Sequence, residues 1–220
     1  MPRIIDLTLP LTAGSRGVAM EPKYTVERDG WNAATWHIYS HAGTHMDAPI
    51  HFAAGPATIE QTPLTSCMGP AWIVRLPQIP AGALLTIAHL GAVAAKLQWG
   101  ESLLLHTGWS RHVDDPALYR DGLPRISEEL AQWCVDHGVK ILGVEPPSVA
   151  NVNNLTEVTR IHKILLGGGV TIVEGLAQLD QLTQERVFFA ALPLKLQGGD
   201  GAPVRAFAVE GVSPDAWSSP

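Results

Sequence analysis

Cysteine is nearly absent: the chain has two, Cys67 and Cys134. They lie far apart and form no CxxC pair, which argues against a disulfide framework or a thiolate metal centre and leaves them as small buried residues. Charge is also sparse. Fifteen Lys and Arg stand against 21 Asp and Glu, for a net charge of -6, and no basic run occurs. Nucleic acid is therefore not an expected partner. No apolar run approaches the ~18 residues of a membrane span. Asp6 and Pro10 interrupt the short apolar stretch at the start, so it does not read as a signal peptide. A cytoplasmic location is expected. Internal repeats and long linkers are missing too. The 220 residues, 46% of them hydrophobic, are enough for one well-packed domain over 1–220.

What is present concentrates in one stretch, His41-Ala42-Gly43-Thr44-His45-Met46-Asp47-Ala48-Pro49-Ile50-His51-Phe52. In an extended chain successive side chains point to opposite faces. The odd positions then carry His41, His45, Asp47 and His51, while the even ones carry apolar residues apart from Thr44. Imidazole and carboxylate are the donor set for zinc and similar divalent ions. A straight strand over these residues would span about 33 Å, whereas metal–ligand bonds are only about 2 Å long. The stretch must bend if its donors share a site, and Gly43 and Pro49 are suited to that. A helix would align His41 with His45, but Gly43, Thr44 and Pro49 argue against one. The bland alternative is a polar strand with histidines facing solvent.

The rest of the chain alternates strands and helices. Strands are expected over 4–9, 31–40, 71–76 (bounded by Pro77), 102–106, 140–144, 170–174, 186–193 and 203–210. A loop is expected through Thr12, Gly14 and Gly17. Trp31 and Trp36 on the second strand are candidates for lining a pocket, or else ordinary core or interface aromatics. A short helix is expected over 92–99. Asp114, Asp115, Pro116, Asp121, Gly122 and Pro124 read as loop chemistry. Ser127 then caps a helix that Gly138 closes. Glu145 ends the 140–144 strand, where α/β proteins often present ligand crevices, and is a candidate for substrate binding.

A second informative stretch starts at Asn154. A helix over 155–166 carries Val158, Ile161 and Leu165 on one stripe, and His162 shares its inward edge. Gly167, Gly168 and Gly169 stop it; they lack the Lys-Ser/Thr of a phosphate loop. Glu174 ends the next strand with no local partner, and a buried carboxylate needs a cation. If the fold joins the two clusters, they supply donors for two metals with a carboxylate bridge and leave a histidine for acid–base work. Such a site makes hydroxide at neutral pH and polarises a carbonyl, which is a hydrolase layout.

The 41–52 segment resembles the signature of the metal-dependent cyclase family, which includes bacterial kynurenine formamidase (arylformamidase), isatin hydrolase and a trans-dienelactone hydrolase. Ile4-Ile5-Asp6-Leu7-Thr8-Leu9-Pro10-Leu11, Leu105-His106-Thr107-Gly108-Trp109, Gly143-Val144-Glu145-Pro146-Pro147-Ser148-Val149 and Gly201-Ala202-Pro203-Val204-Arg205 extend the likeness along most of the chain. The resemblance implies an α/β fold, a compact swivelling β/β/α-type single domain with a mixed sheet, assembled as homodimers or homotetramers. It implies His41, His45 and Asp47 as ligands of one metal, and Asp47, His162 and Glu174 as ligands of a second. His51 would be the proton donor and acceptor. Zinc is the implied metal in formamidases and manganese in isatin hydrolase.

Three departures bear on the substrate. Where the family carries a Trp-Pro-Gly-Asp-like element the loop here reads Ser15-Arg16-Gly17-Val18-Ala19-Met20-Glu21-Pro22, so the tryptophan associated with aromatic substrate is missing at that place, with Trp31 and Trp36 as candidate substitutes. Asp-x-Pro-Ser-x-Asp appears as Glu145-Pro146-Pro147-Ser148-Val149-Ala150. A second histidine beside the helical ligand is Lys163. The expected activity is hydrolysis of a non-peptide amide or a lactone in a small molecule by metal-bound hydroxide, with His51 as general acid/base. Two rivals stand beside it: a metal-dependent cyclase or dehydratase that hydrolyses nothing, and a non-catalytic protein that binds a metal or small carboxylate.

Overall fold

The computed structural model describes residues 1–76 and 79–217. In chain order the elements are β1 Arg3–Asp6, β2 Val18–Tyr24, α1 Val26–Asp29, β3 Ala33–Ile38, β4 His45–Asp47, β5 Met68–Arg75 and β6 Leu84–Leu85. Then come α2 Val93–Lys96, β7 Ser102–His106, α3 Pro116–Asp121, β8 Arg125–Ile126, α4 Glu128–Asp136 and β9 Ile141–Val144. The last are α5 Leu155–Gly167, β10 Thr171–Glu174, β11 Arg186–Pro193 and β12 Gly201–Glu210. Pro77, expected to bound β5, lies outside the described residues.

Seven strands close into a barrel in the order β12-β11-β5-β7-β9-β10-β4, and β4 pairs back onto β12. The β5-β7-β9-β10 run is parallel and the other pairs are antiparallel. This is the expected mixed α/β sheet. β1 extends the same edge of β12 beyond β4, through Arg3↔Glu210 to Asp6↔Phe207.

The period-2 alternation of strands explains the layering. Leu104, Ile141, Val173, Met46 and Phe189 share one buried cluster that fills the barrel. Their sequence neighbours Leu103, Leu105, Leu142 and Ile172 belong to a second cluster with Leu130 of α4 and Val158, Ile161 and Leu165 of α5. The parallel strands are thus buried on both faces and read as continuous apolar runs. Each large aliphatic side chain that α5 buries there contributes roughly 1.5–3 kcal/mol. Ser127 Oγ accepts from Leu130 N at the start of α4, and Asn154 Oδ1 accepts from Glu157 N at the start of α5.

The structure departs from expectation in three places. Residues 116–121 form helix α3 rather than loop, because Asp115 caps the Leu118 amide and Pro116 stands at the first helical position. The helix expected over 92–99 is a single turn, 93–96. The strand expected over 31–40 exists as β3, but it pairs only with β2, in a two-stranded ribbon outside the barrel.

Candidate metal centre

Three local devices aim the 41–52 stretch. His41 to Thr44 turn sharply, with Gly43 at φ +62°, where a Cβ would meet Leu11 Cδ2 at 2.8 Å. Thr44, the polar exception among the even positions, is buried: its hydroxyl donates to Gly175 O at 2.6 Å and accepts from Leu9 N at 2.8 Å. After the three residues of β4, Pro49 starts a short 3₁₀ turn over Pro49–Phe52 that carries His51. Met46 faces the barrel interior, so His45 and Asp47 point outward, towards α5. Glu174 has the parity of Ile172 and shares that outer face; β10 pairs it with His45 in register. His162 of α5 closes the site from the opposite side.

The predicted cluster assembles. His45 Nε2 lies 3.2 Å from Glu174 Oε2 and 3.6 Å from Asp47 Oδ1. His162 Nε2 lies 3.4 Å from Glu174 Oε1 and 3.5 Å from Asp47 Oδ2, and His41 Nδ1 is 2.9 Å from Asp47 Oδ1. Donors of a tetrahedral ion at about 2.0–2.1 Å stand about 3.3 Å apart, so these spacings match the edges of such a polyhedron. His41, His45 and Asp47 form one set of donors able to hold a metal, and Asp47, His162 and Glu174 form a second. Asp47 belongs to both.

Tautomers point the same way. His45 Nδ1 donates to Gly43 O at 3.0 Å, and His162 Nδ1 donates to Val158 O at 2.7 Å. Each Nε2 is thereby turned to the carboxylates, the arrangement in which a backbone carbonyl orients a ligating imidazole. His45 Nε2 and Asp47 Oδ2 are buried without a hydrogen-bond partner. An orphaned pair of this kind is costly unless a cation satisfies it.

Electrostatics express the same frustration. Burial opposes the charged imidazole of His41, but its hydrogen bonds to the carboxylates of Asp47 and Asp200, with their negative charge, outweigh it and raise its pKa to about 9. His162 is likewise raised to about 10 against burial, by Asp47 and Glu174. Burial opposes ionisation of Asp47 as well, and His162 and His41 hold it well below the usual carboxylate range. His51 shifts the other way: burial lowers its pKa below 6.5. Its ring stacks on His41 at 3.9 Å and joins neither of the two donor sets sharing Asp47.

Asp200 was not anticipated. It lies in the Gly-rich turn before β12, with Oδ2 3.1 Å from His41 Nε2 and 3.5 Å from His51 Nδ1. These three residues make a third, half-buried donor group. The local signal is only an aspartate among glycines, and its site partners stand far away along the chain. Barrel closure through Gly201↔Asp47 brings it in.

The candidates for substrate contact fall elsewhere. Glu145 is buried, and its carboxylate accepts from Thr107 N, Thr107 Oγ1, Trp109 N and Ser110 Oγ. It knots a loop and has little capacity left for a ligand. Trp31, in the bend before β3, and Trp36 of β3 are 52% and 47% exposed, with Trp31 stacked on Tyr24 of β2. Neither lines the cavity of about 440 Å³ that opens over His41, His45, His51, His162 and Glu174. Leu9, Leu11, Val18, Tyr39, Phe52 and Val158 supply apolar wall instead.

Comparison with known proteins agrees with this geometry. The Cyclase family model matches residues 5–151. The chain is 32% identical to the kynurenine formamidase of Salinibacter ruber over 80% of this chain and 78% of that protein. It is 30% identical to the kynurenine formamidase of Geobacillus thermodenitrificans over 92% of both chains. Isatin hydrolase A from Ralstonia solanacearum superposes with a TM-score of 0.82 at 24% identity, covering 94% of this chain and 92% of that one. The chain belongs to the Cyclase family, as a metal-dependent hydrolase.

Proposed function

We propose that this protein, one domain over 1–220, hydrolyses a non-peptide amide or a lactone in a small molecule. His41, His45 and Asp47 would hold one divalent ion, and Asp47, His162 and Glu174 a second, with Asp47 as bridge. The observation that carries this reading is the pair of donor sets sharing Asp47, with His45 Nε2 and Asp47 Oδ2 buried without a hydrogen-bond partner. Nitrogen and oxygen donors without sulfur suit zinc first and manganese second. When bound, the ions supply Lewis acidity and an activated water.

The chain's own groups account for the rest. The apolar walls seat the substrate and thin out bulk water. His51 sits beside the cluster, and burial keeps it neutral at pH 7. Asp200 faces its Nδ1, which leaves Nε2 as the atom that takes a proton and returns it to the leaving nitrogen or oxygen. Asp200 also holds the outer nitrogen of His41, as carboxylates do behind ligating histidines.

Two features support the finer points. Trp31, Trp36, Ile38 and Tyr39 are exposed along the β2–β3 ribbon, which suits a homodimer or homotetramer. Cys67 and Cys134 are free and buried, in keeping with a cytoplasmic protein. No helix among the described residues is long and apolar enough to cross a membrane.

His51→Ala should retain metal and lose most turnover; full activity with unchanged metal would refute its role. Asp47→Ala should empty both sets, and two metals retained would refute the bridge. Product formed in ¹⁸O-labelled water should carry the label, whereas a cyclase or dehydratase would incorporate none.

A further inference from the structure

Beside the two sets that share Asp47 lies a donor group that the two-ion reading leaves idle. Among the described residues three groups of three such donors occur, and the third is His41, His51 and Asp200. Asp200 Oδ2 stands 3.1 Å from His41 Nε2 and 3.5 Å from His51 Nδ1, again close to the edges of a tetrahedral coordination shell. The fold builds this group. The rings of His41 and His51 stack at 3.9 Å and 27°, and both turn a nitrogen to the same carboxylate oxygen. Asp200 O accepts from Ala48 N at 2.9 Å, which ties its turn to the segment between Asp47 and His51. The His41 ring occupies the room that a side chain at Gly201 would need, with Cε1 2.7 Å from the Cβ position. Exposure rises outward, from 8% for the His41 side chain through 22% for His51 to 46% for Asp200. Three protein donors with one side open to water are the count and layout of a zinc site that keeps a solvent position.

We infer that His41, His51 and Asp200 form a third cation site, and that a zinc ion held there arrests turnover. The arrest follows from the lone pairs of His51. A neutral imidazole has one N–H and one lone pair. With Asp200 facing Nδ1–H, the lone pair lies on Nε2, where the proposed reaction needs it. An ion on Nδ1 requires the other tautomer, whose proton sits on Nε2. His51 then has no lone pair left to take a proton, and Asp200 is drawn off to the ion. His41 sets the order of filling. Asp47 offers one oxygen to each of two ions, but an imidazole serves two ions only as imidazolate, after its Nε2 proton leaves to solvent. The third ion is therefore the weakest of the three, and its site fills only when zinc is in excess. Manganese binds such donors more weakly than zinc, so excess manganese should leave His51 free. The site rests on the geometry of the three residues alone; the arrest rests on the role proposed above for His51.

The test titrates zinc into protein that already holds two zinc ions per chain. Binding is followed by equilibrium dialysis with elemental analysis, and turnover by hydrolysis of formanilide and dihydrocoumarin. A third equivalent should bind at least about tenfold more weakly than the first two. Turnover should fall in step with its occupancy, at least about tenfold, and return when dialysis restores two equivalents. The same titration of manganese-loaded protein with manganese should leave turnover unchanged. His51→Ala should keep two zinc ions and lose the third. Asp200→Asn should weaken the third at least about tenfold more than the other two. Crystals soaked in excess zinc should show an anomalous peak among His41, His51 and Asp200. A third equivalent that persists in His51→Ala, or a peak only elsewhere, as at the exposed His37–Glu21 pair, would mean an adventitious ion only and would overturn the inference. Saturation at two ions in excess zinc would overturn it too, as would full turnover with the third ion in place. No hydrolysis of either compound at two ions would count against the hydrolase reading alone, and the dialysis and diffraction results would still decide the site.

Discussion

Gly175 offers a sharp test of how the fold holds its site. It follows Glu174 directly, at φ +69°. A Cβ built there would stand 2.4 Å from Gly43 O and 3.0 Å from Gly43 C. Gly175→Ala should therefore cost two separate amounts. The left-handed backbone costs a non-glycine residue roughly 1–2 kcal/mol. Pushing a neighbouring backbone carbonyl away by about an ångström costs roughly 1–3 kcal/mol more, as overpacking does. The sum, about 2–5 kcal/mol, corresponds to a Tm loss of roughly 4–20 °C at about 2–4 °C per kcal/mol for a chain this long. Gly82 supplies the matched control, with the same φ of +69° but nothing within 4 Å of its Cβ position. Gly82→Ala should show the first cost only. The displaced carbonyl has a further consequence. Gly43 O accepts from His45 Nδ1, so moving it should turn the imidazole and weaken metal retention. Thermal unfolding of both variants, with metal analysis of each, makes the comparison. A Gly175→Ala protein no less stable than Gly82→Ala, with full metal content, would refute the argument that this contact positions the site.

Three other outcomes follow from the same geometry. At pH 7.5 the metal-free protein should carry protons on His41 and His162, whose pKa values are raised to about 9 and about 10. Ligation needs neutral imidazole, so metal loading should release at least about two protons and strengthen as pH rises; calorimetry in buffers of different ionisation enthalpy would contradict this if release were near zero. Burial lowers the pKa of His51 below 6.5, so its base form is present at neutrality, and the acid limb of kcat should fall below pH 6.5 and vanish in His51→Ala. Asp200→Asn should cost roughly 10–100-fold in turnover or metal affinity, with the fold retained by circular dichroism; wild-type kinetics and metal content would remove Asp200 from the site.

Much of this site was readable along the chain because the information is local. Alternation puts His45 and Asp47 on one face of β4 and Met46 on the other. Helical spacing puts His162 with Val158 and Leu165, and Glu174 ends a strand without a local partner. Those patterns survive in three dimensions because each side is buried against a separate cluster. What was not readable depends on closure or on competing local signals. Asp200 reaches His41 only because β12 pairs with β4 across more than 150 residues of chain. Val18–Tyr24 carries Pro22 and mostly exposed residues, so β2 shows no alternation, and the β2–β3 pairing is not legible in the sequence. Asp115 and Pro116 read as turn chemistry, yet the same two residues are a good helix start, and α3 uses them so. Glu145 sits at a strand end as expected, but four donors from residues 107–110 claim its carboxylate.

The most direct test of the central claim is the metal content per chain of protein purified without chelators, by elemental analysis, repeated after loading with zinc or manganese. If both donor sets sharing Asp47 fill as proposed, the count should be about two ions per chain, falling towards zero in Asp47→Ala. No metal bound after loading with either ion would contradict the account at its root.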